Sequence, residues 1–299
     1  MDFSPVAVAR RRNGSESVAL GTVATARDGY RGTVWLAIFV ILLTIPGCAP
    51  RYIQGSPGEV QKSMAACADI RIEGQTVPRF MTGRTAFVLD AAQARLTKTS
   101  PTLGEIELKE KTPIEFGTAT AIDPRGYFLT AAHCLGKKPP YLGFFSKGKL
   151  QFEPCRVVWR SAHEQPDLAL LYVPFPLKVF AWSPDVPGGA EVLAAGFTMG
   201  KAPMARMRYV TGKIRIIEEE PEETPSFSII SHTAPLIFGN SGGPLFDRQG
   251  RLVGINVTAD GKMEWLKYAV TIHGGTALRP DLAWLREKIA EDQAQLSKP

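Results

Sequence analysis

Beyond residue 80 the apolar residues of this chain fall into short runs rather than long periodic stretches. Ala86–Leu89, Ile114–Phe116, Tyr127–Leu129, Arg156–Trp159 and Ala169–Val173 form a first series. Val192–Phe197, Tyr209–Ile217, Phe227–Ser231, Leu252–Val257 and Tyr268–Ile272 form a second. Each run is rich in β-branched and aromatic residues and bounded by glycine, proline or charge, which predicts strands. Pro174-Phe175-Pro176 separates the two series. Evenly spaced short strands point to an all-β fold of barrels. A helical period comes at the C-terminus: after Arg279-Pro280-Asp281, the residues Leu282, Leu285 and Ile289 share one face. That helix reads as a docking element.

The N-terminal part follows another pattern. Thr33–Ile45 is a continuous apolar stretch of 13 residues, short for a bilayer span of about 20 residues and of the length of a signal-peptide core. Arg27 and Arg31 precede it, and Ile45-Pro46-Gly47-Cys48 closes it like a lipobox, with Cys48 as the candidate lipidation site. Ordinary cleavage nearby and an uncleaved anchor are the alternatives. The lead before the stretch is long for a signal peptide, which leaves open a true start further downstream or a cytosolic tail. The expected organisation is a leader or anchor at 1–47, a tether at 48–79 and a catalytic domain at 80–299, with a helical turn within Met64–Ile72.

Composition narrows the function classes. Some 250 residues remain after the leader, enough for one two-barrel domain with a full core. The formal net charge is +6 and scattered, which argues against a nucleic-acid partner. No His-Glu-x-x-His helix and no Cys-x-x-Cys pair occurs, so neither a metal nor a cofactor is expected.

Three short motifs carry chemistry. Gly239-Asn240-Ser241-Gly242-Gly243-Pro244 sets a serine among glycines, on a turn able to aim several amide N–H groups at one point. A serine hydroxyl needs a base to take its proton and donors for the oxyanion it creates. Thr130-Ala131-Ala132-His133-Cys134 supplies the imidazole, and Asp167-Leu168-Ala169-Leu170-Leu171 a carboxylate. The order His133, Asp167, Ser241 resembles the chymotrypsin/trypsin-like serine peptidases. Their separations, 34 and 74 residues, are similar to those of bacterial HtrA-like (Do-like) proteases. Gly117–Ile122 followed by Pro124–Thr130, and Gly254-Ile255-Asn256, are similar to that group too. Only 58 residues follow Ser241, which leaves no room for a PDZ domain.

The resemblance implies two six-stranded antiparallel β-barrels with a C-terminal helix. Ser241 would be nucleophile, His133 general base and acid, and Asp167 the orienting carboxylate; the N–H groups of Gly239 and Ser241 would form the oxyanion hole. Pro235 would lie at the base of the P1 pocket, with Asn256, Val257, Thr258 and Ala259 in one wall and Tyr268–Thr271 in another. No acidic residue stands at that base, so a small or medium apolar P1 is expected rather than a basic one. Asn240 stands where zymogen-type relatives carry aspartate, so activity is not expected to depend on a newly cleaved N-terminus. Cys134 occupies a position often disulfide-bonded in the family, but its usual partner is replaced by Thr118. Cys155 is the expected partner, with Cys67 or unpaired thiols as alternatives. His163, His232 and His273 read as structural or surface residues, and Glu218–Glu223 as a solvated loop tip. The implied activity is serine endopeptidase in the bacterial cell envelope, acting on protein or peptide substrates and attached to the membrane through the N-terminus. The alternative is a weakly catalytic homologue that binds peptides.

Overall fold

The computed structural model describes residues 62, 64–89, 116–146, 149–162, 166–174, 176–199, 205–221, 225–264 and 269–297, with strand segments at Val6–Val8, Ala19–Gly21, Arg51–Gln54, Ala94–Ser100 and Leu103–Leu108. Thr33–Ile45, Cys48, His163 and Tyr268 lie outside the described residues.

The first series of runs forms β1 (Thr85–Leu89), β2 (Phe116–Asp123), β3 (Tyr127–Thr130), β4 (Tyr141–Ser146), β5 (Lys149–Pro154), β6 (Arg156–Arg160) and β7 (Ala169–Tyr172). They pair antiparallel in the order β5-β4-β1-β2-β3-β7-β6. β5 and β6 stand at opposite edges, yet Cys155 alone separates them in sequence. The sheet must therefore curl until its edges meet at Cys155, whose N–H is fixed to Pro140 O at 3.0 Å. The seven strands form a curled half-barrel sheet, whose edges are joined through the chain at Cys155 and not by a ladder.

The second series forms β8 (Glu191–Met199), β9 (Ala205–Glu220), β10 (Phe227–His232), β11 (Pro244–Asp247), β12 (Leu252–Glu264) and β13 (Ala269–Pro280). The order β12-β11-β8-β9-β10-β13 returns to β12, a closed antiparallel barrel of six strands. Residues of β3 and β7 are buried on both faces, so they read as apolar runs rather than alternations.

The folded unit begins earlier than expected. Cys67, Ile70, Ile72 and Val77, assigned to the tether, are buried in the main core. A hairpin of Arg71–Ile72 and Gln75–Thr76 leads into helix α1 (Val77–Met81). Ile72 and Phe80 pack so closely on Gly250 that a Cβ there would lie 2.4 Å from Ile72 Cγ2 and 2.7 Å from Phe80 Cζ. Apolar residues spaced too irregularly to show a period thus contribute core surface.

Helix α2 (Leu282–Leu296) starts on the Asp281 cap, whose carboxylate accepts from Trp284 N at 2.7 Å. It buries Leu285 and Ile289, as the period predicts. It also buries Asp292, which accepts Arg156 Nη1 and Nη2 at 2.6 and 2.7 Å and the Tyr127 hydroxyl at 2.8 Å. A helix leaving the second barrel is thereby fastened to the first.

Candidate active site

β3 ends at Thr130, and the chain turns through a short 3-10 segment, Ala132–Cys134, that carries His133. Asp167 lies just before β7, the neighbour of β3, so strand pairing alone brings the two together. The carboxylate meets His133 twice. Oδ1 accepts the backbone N–H at 2.9 Å, and Oδ2 accepts from ring Nδ1 at 2.5 Å. This fixes the ring plane and leaves Nε2 as the nitrogen able to take a proton. Burial opposes a charged ring, but the Cys134 sulfur and the Asp167 carboxylate outweigh it, and the pKa of His133 is raised well above the ordinary histidine value.

Ser241 lies in the loop joining β10 to β11. Tight backbone bonds shape that loop: Asn240 N to Ile237 O at 3.0 Å, Gly243 N to Asn240 O at 2.9 Å, and Gly242 N to Asn256 O at 2.7 Å. Gly239 (φ +89°) and Gly242 (φ +81°) occupy the left-handed region that side chains disfavour. Space forbids substitution as well: a Cβ on Gly239 would lie 2.3 Å from Phe197 O, and one on Gly242 would clash with Thr118 O. Among the described residues, neither Gly239 N–H nor Ser241 N–H meets an acceptor. Both remain available to a developing oxyanion.

The three side chains are not all in contact. Cys134, next to His133 in the chain, puts its sulfur 3.7 Å from Ser241 O. The Ser241 hydroxyl, however, donates to Val257 O at 3.4 Å and makes no hydrogen bond to His133.

Around this centre, Asn256 is fully buried and joined by backbone bonds to Gly242 and Gly243. Val257 is also buried, whereas Thr258, Ala259 and Pro235 are half-buried. The fully buried His232 lies with Nε2 3.1 Å from Asn256 Oδ1. Burial depresses its pKa to about 4. It is a structural residue, as read from sequence, while His273 is exposed. Asn240 is buried, with Oδ1 accepting Ile237 N at 2.9 Å, so its side chain braces its own loop. Glu218, Glu219 and Glu220 pair with the start of β10, the end remote from Ser241.

The expected Cys134–Cys155 pairing is not formed. Cys134 and Cys155 are buried and not disulfide-bonded, and Cys67 is buried in the main core. Cys134 turns toward Ser241 O, while Cys155 sits at the barrel corner, where burial pushes its pKa up to about 12.

Sequence reading missed Thr118 and Thr120. Thr120 Oγ1 donates to Gly242 O at 2.9 Å, and Thr118 Oγ1 to Gly239 O at 2.7 Å. The signal was legible: in Thr118-Ala119-Thr120-Ala121 hydroxyls alternate with methyls, so both hydroxyls share one face of a buried strand.

Residues 117–255 match the family described as trypsin-like peptidase domain. None of the curated proteins matches the chain. Among solved structures, the Rv3671c protease from M. tuberculosis in its active form is 16% identical, with 81% of this chain and 89% of that one covered and a TM-score of 0.46. The MamO protease domain from Magnetospirillum magneticum, in apo form, is 19% identical, with 71% and 98% covered and a TM-score of 0.46. The HtrA-type protease AlgW with a decapeptide is 19% identical, with a TM-score of 0.47; 70% of this chain is covered, and 64% of that one.

Proposed function

From the match of residues 117–255 to the trypsin-like peptidase domain, we propose that the protein is a serine endopeptidase that works through an acyl-enzyme. The observation that carries this reading is a paired imidazole and carboxylate beside a serine loop with two unengaged amide donors. Ser241 Oγ attacks the scissile carbonyl carbon while Nε2 of His133 takes its proton. The carbonyl oxygen, now an anion, is received by the N–H groups of Gly239 and Ser241. As the C–N bond breaks, His133 returns the proton to the departing amine. Water then repeats the sequence and frees Ser241. Asp167 holds the ring and favours its cationic form throughout. Rotation about the Ser241 Cα–Cβ bond, which side chains make in picoseconds to nanoseconds when not locked, moves the hydroxyl from Val257 O toward the ring.

The substrates of this reading are exposed segments of exported or envelope proteins, with a non-basic P1 residue. The N-terminal segment would deliver the domain across the membrane and hold it there, through Cys48 if that thiol is lipidated. Membrane fractionation of wild type against Cys48→Ser checks the attachment: release of the variant supports the lipid anchor, and equal retention refutes it.

One observation favours the second reading, a peptide-binding homologue: the Ser241 hydroxyl is bonded to Val257 O and not to His133. Labelling the purified protein with a fluorophosphonate separates the two. The peptidase reading expects labelling of wild type, none of Ser241→Ala, and hydrolysis of denatured casein by wild type alone. A folded wild type that neither labels nor cleaves casein decides for the binding reading.

A further inference from the structure

The nucleophile loop belongs to the second barrel, yet much of what fixes it comes from the first. Thr118, on β2, is fully buried and bonded through all its polar groups. Its N–H donates to Ser241 O at 2.8 Å, and its carbonyl accepts Thr130 Oγ1 at 2.7 Å. Its hydroxyl donates to Gly239 O at 2.7 Å and accepts Phe197 N at 2.8 Å. One side chain thus ties β2, β8 and the peptide following Gly239 together.

The orientation of that peptide matters to the oxyanion hole. Gly239 joins two peptide planes, one carrying its N–H and one carrying its carbonyl. The second is held at both ends, by Thr118 Oγ1 at the carbonyl and by Ile237 O at Asn240 N–H. Fixing it constrains the φ and ψ of Gly239, and so the direction of the first plane. The Ser241 N–H is set separately, through Asn240 O and Gly243 N. Thr118 Oγ1 is therefore a constraint on one of the two donors.

We propose that Thr118 is a positioning residue for the oxyanion hole: its hydroxyl, spanning the barrels, holds the Gly239 peptide so that the Gly239 N–H faces the developing charge. Thr118 touches neither substrate nor reacting atoms. The inference rests on the serine-peptidase reading. The residue is also the one that stands where the resemblance would have put a cysteine opposite Cys134. Both positions reach Ser241 O here, through Thr118 N–H and Cys134 Sγ, so hydrogen bonds link what a disulfide would link.

The test compares full-length wild type, Thr118→Val and Thr118→Ser, each checked for folding by circular dichroism and assayed well below its melting temperature. Thr118→Val keeps the shape and removes both hydroxyl bonds. Its kcat on fluorescent casein and its fluorophosphonate labelling rate are expected to fall roughly tenfold or more, short of losing the donor itself. KM should change little, and a peptide boronate, which presents an oxyanion, should weaken in parallel with kcat. Thr118→Ser should recover most of the loss. If Thr118→Val does not fold, Thr118→Ala, which likewise removes both hydroxyl bonds, carries the same expectation. A folded Val or Ala variant with wild-type kcat and labelling rate overturns the proposal. So does a loss that falls on KM, or one that Ser does not rescue. A wild type that never labels overturns the peptidase reading and this inference together, whereas a labelled wild type with an equally labelled Thr118→Val overturns this inference alone.

Discussion

Asp167 binds His133 at two places, ring Nδ1 at 2.5 Å and backbone N–H at 2.9 Å. One carboxylate therefore sets both the path of the histidine segment and the tilt of its ring. Asp167→Asn keeps an oxygen that can hold the backbone but presents an amide N–H₂ as its second arm. That arm demands a ring nitrogen lone pair, so the tautomer with the proton on Nε2 is favoured and the general base is lost. The expected result is a fall in kcat of about 10⁴ with a small change in melting temperature. Casein hydrolysis and thermal melts measure the two; a variant within tenfold of wild type would remove Asp167 from the mechanism.

The raised pKa of His133 makes a prediction of opposite sign for activity and stability. Catalysis requires the neutral ring, so kcat/KM should rise with pH through an inflection above the ordinary histidine value of about 6.5. The charged ring is the form the fold favours. Its stabilising contribution is complete below the unfolded pKa and disappears as pH climbs through the folded one. A pH–rate profile from pH 5 to 9 checks the first part. An inflection below 6 would show that the Cys134 sulfur and the Asp167 carboxylate do not outweigh burial of the ring.

Much of this site was legible as a line of letters. Ser241 among glycines, a histidine after a strand and an aspartate before one are local signatures, because each depends on neighbouring residues alone. The hairpin of β2 and β3 and the face of α2 were legible for the same reason. What escaped depends on distant contacts. β11 is only Pro244–Asp247 and looks like the tail of the serine loop until β8 and β12 flank it. Cys67, Ile70 and Ile72 looked like linker because the Gly250 turn that receives them lies far along the chain. Cys134 and Cys155 could be paired on paper because sequence gives no direction for a thiol. Thr118 was noticed only as an absent cysteine, and its partners lie 79 and 121 residues away.

Gly239→Ala tests whether the loop tolerates any side chain. Its φ of +89° is costly for alanine, and the new methyl would face Phe197 O at 2.3 Å and the Phe116 ring at 2.2 Å. A ring can swing away but a strand carbonyl cannot, so the peptide must turn and carry its N–H with it. Fluorophosphonate labelling should slow by about 10² or more, while circular dichroism still reports a folded β protein. Labelling at the wild-type rate would mean that Gly239 N–H takes no part.

Asp292 tests the seam between α2 and the first barrel. Asp292→Ala removes the acceptor of two Arg156 bonds and one Tyr127 bond. Arg156 is 44% exposed and regains water, and Gln293 still donates to the Tyr127 hydroxyl. The penalty is therefore that of lost hydrogen bonds rather than of a stranded buried charge, roughly 2 kcal/mol. The melting temperature should fall by about 4–8 °C for a domain of this size. Asp292→Asn should fall less, since its carbonyl can still accept. An unchanged melting temperature in Asp292→Ala would show that α2 is held by Leu285 and Ile289 alone.

His232 supplies a prediction in acid. Its ring is wholly buried against Asn256, with the Arg215 charge nearby, and both burial and that charge disfavour protonation. The pKa is about 4 when folded, against about 6.5 in an unfolded chain. Between those values the unfolded chain binds a proton that the folded protein refuses, so acid favours unfolding. The stability at neutral pH that depends on a neutral His232 is lost as pH falls from about 6.5 toward 4, in all roughly 3 kcal/mol. His232→Gln carries no such proton while keeping an amide to meet Asn256. Urea unfolding at pH 7 and pH 4.5 should show a smaller loss for the variant than for wild type. Parallel losses in the two proteins would assign the acid sensitivity to other groups, the Asp292 and Asp123 carboxylates first, since hydrogen bonds from arginine hold both below their ordinary values.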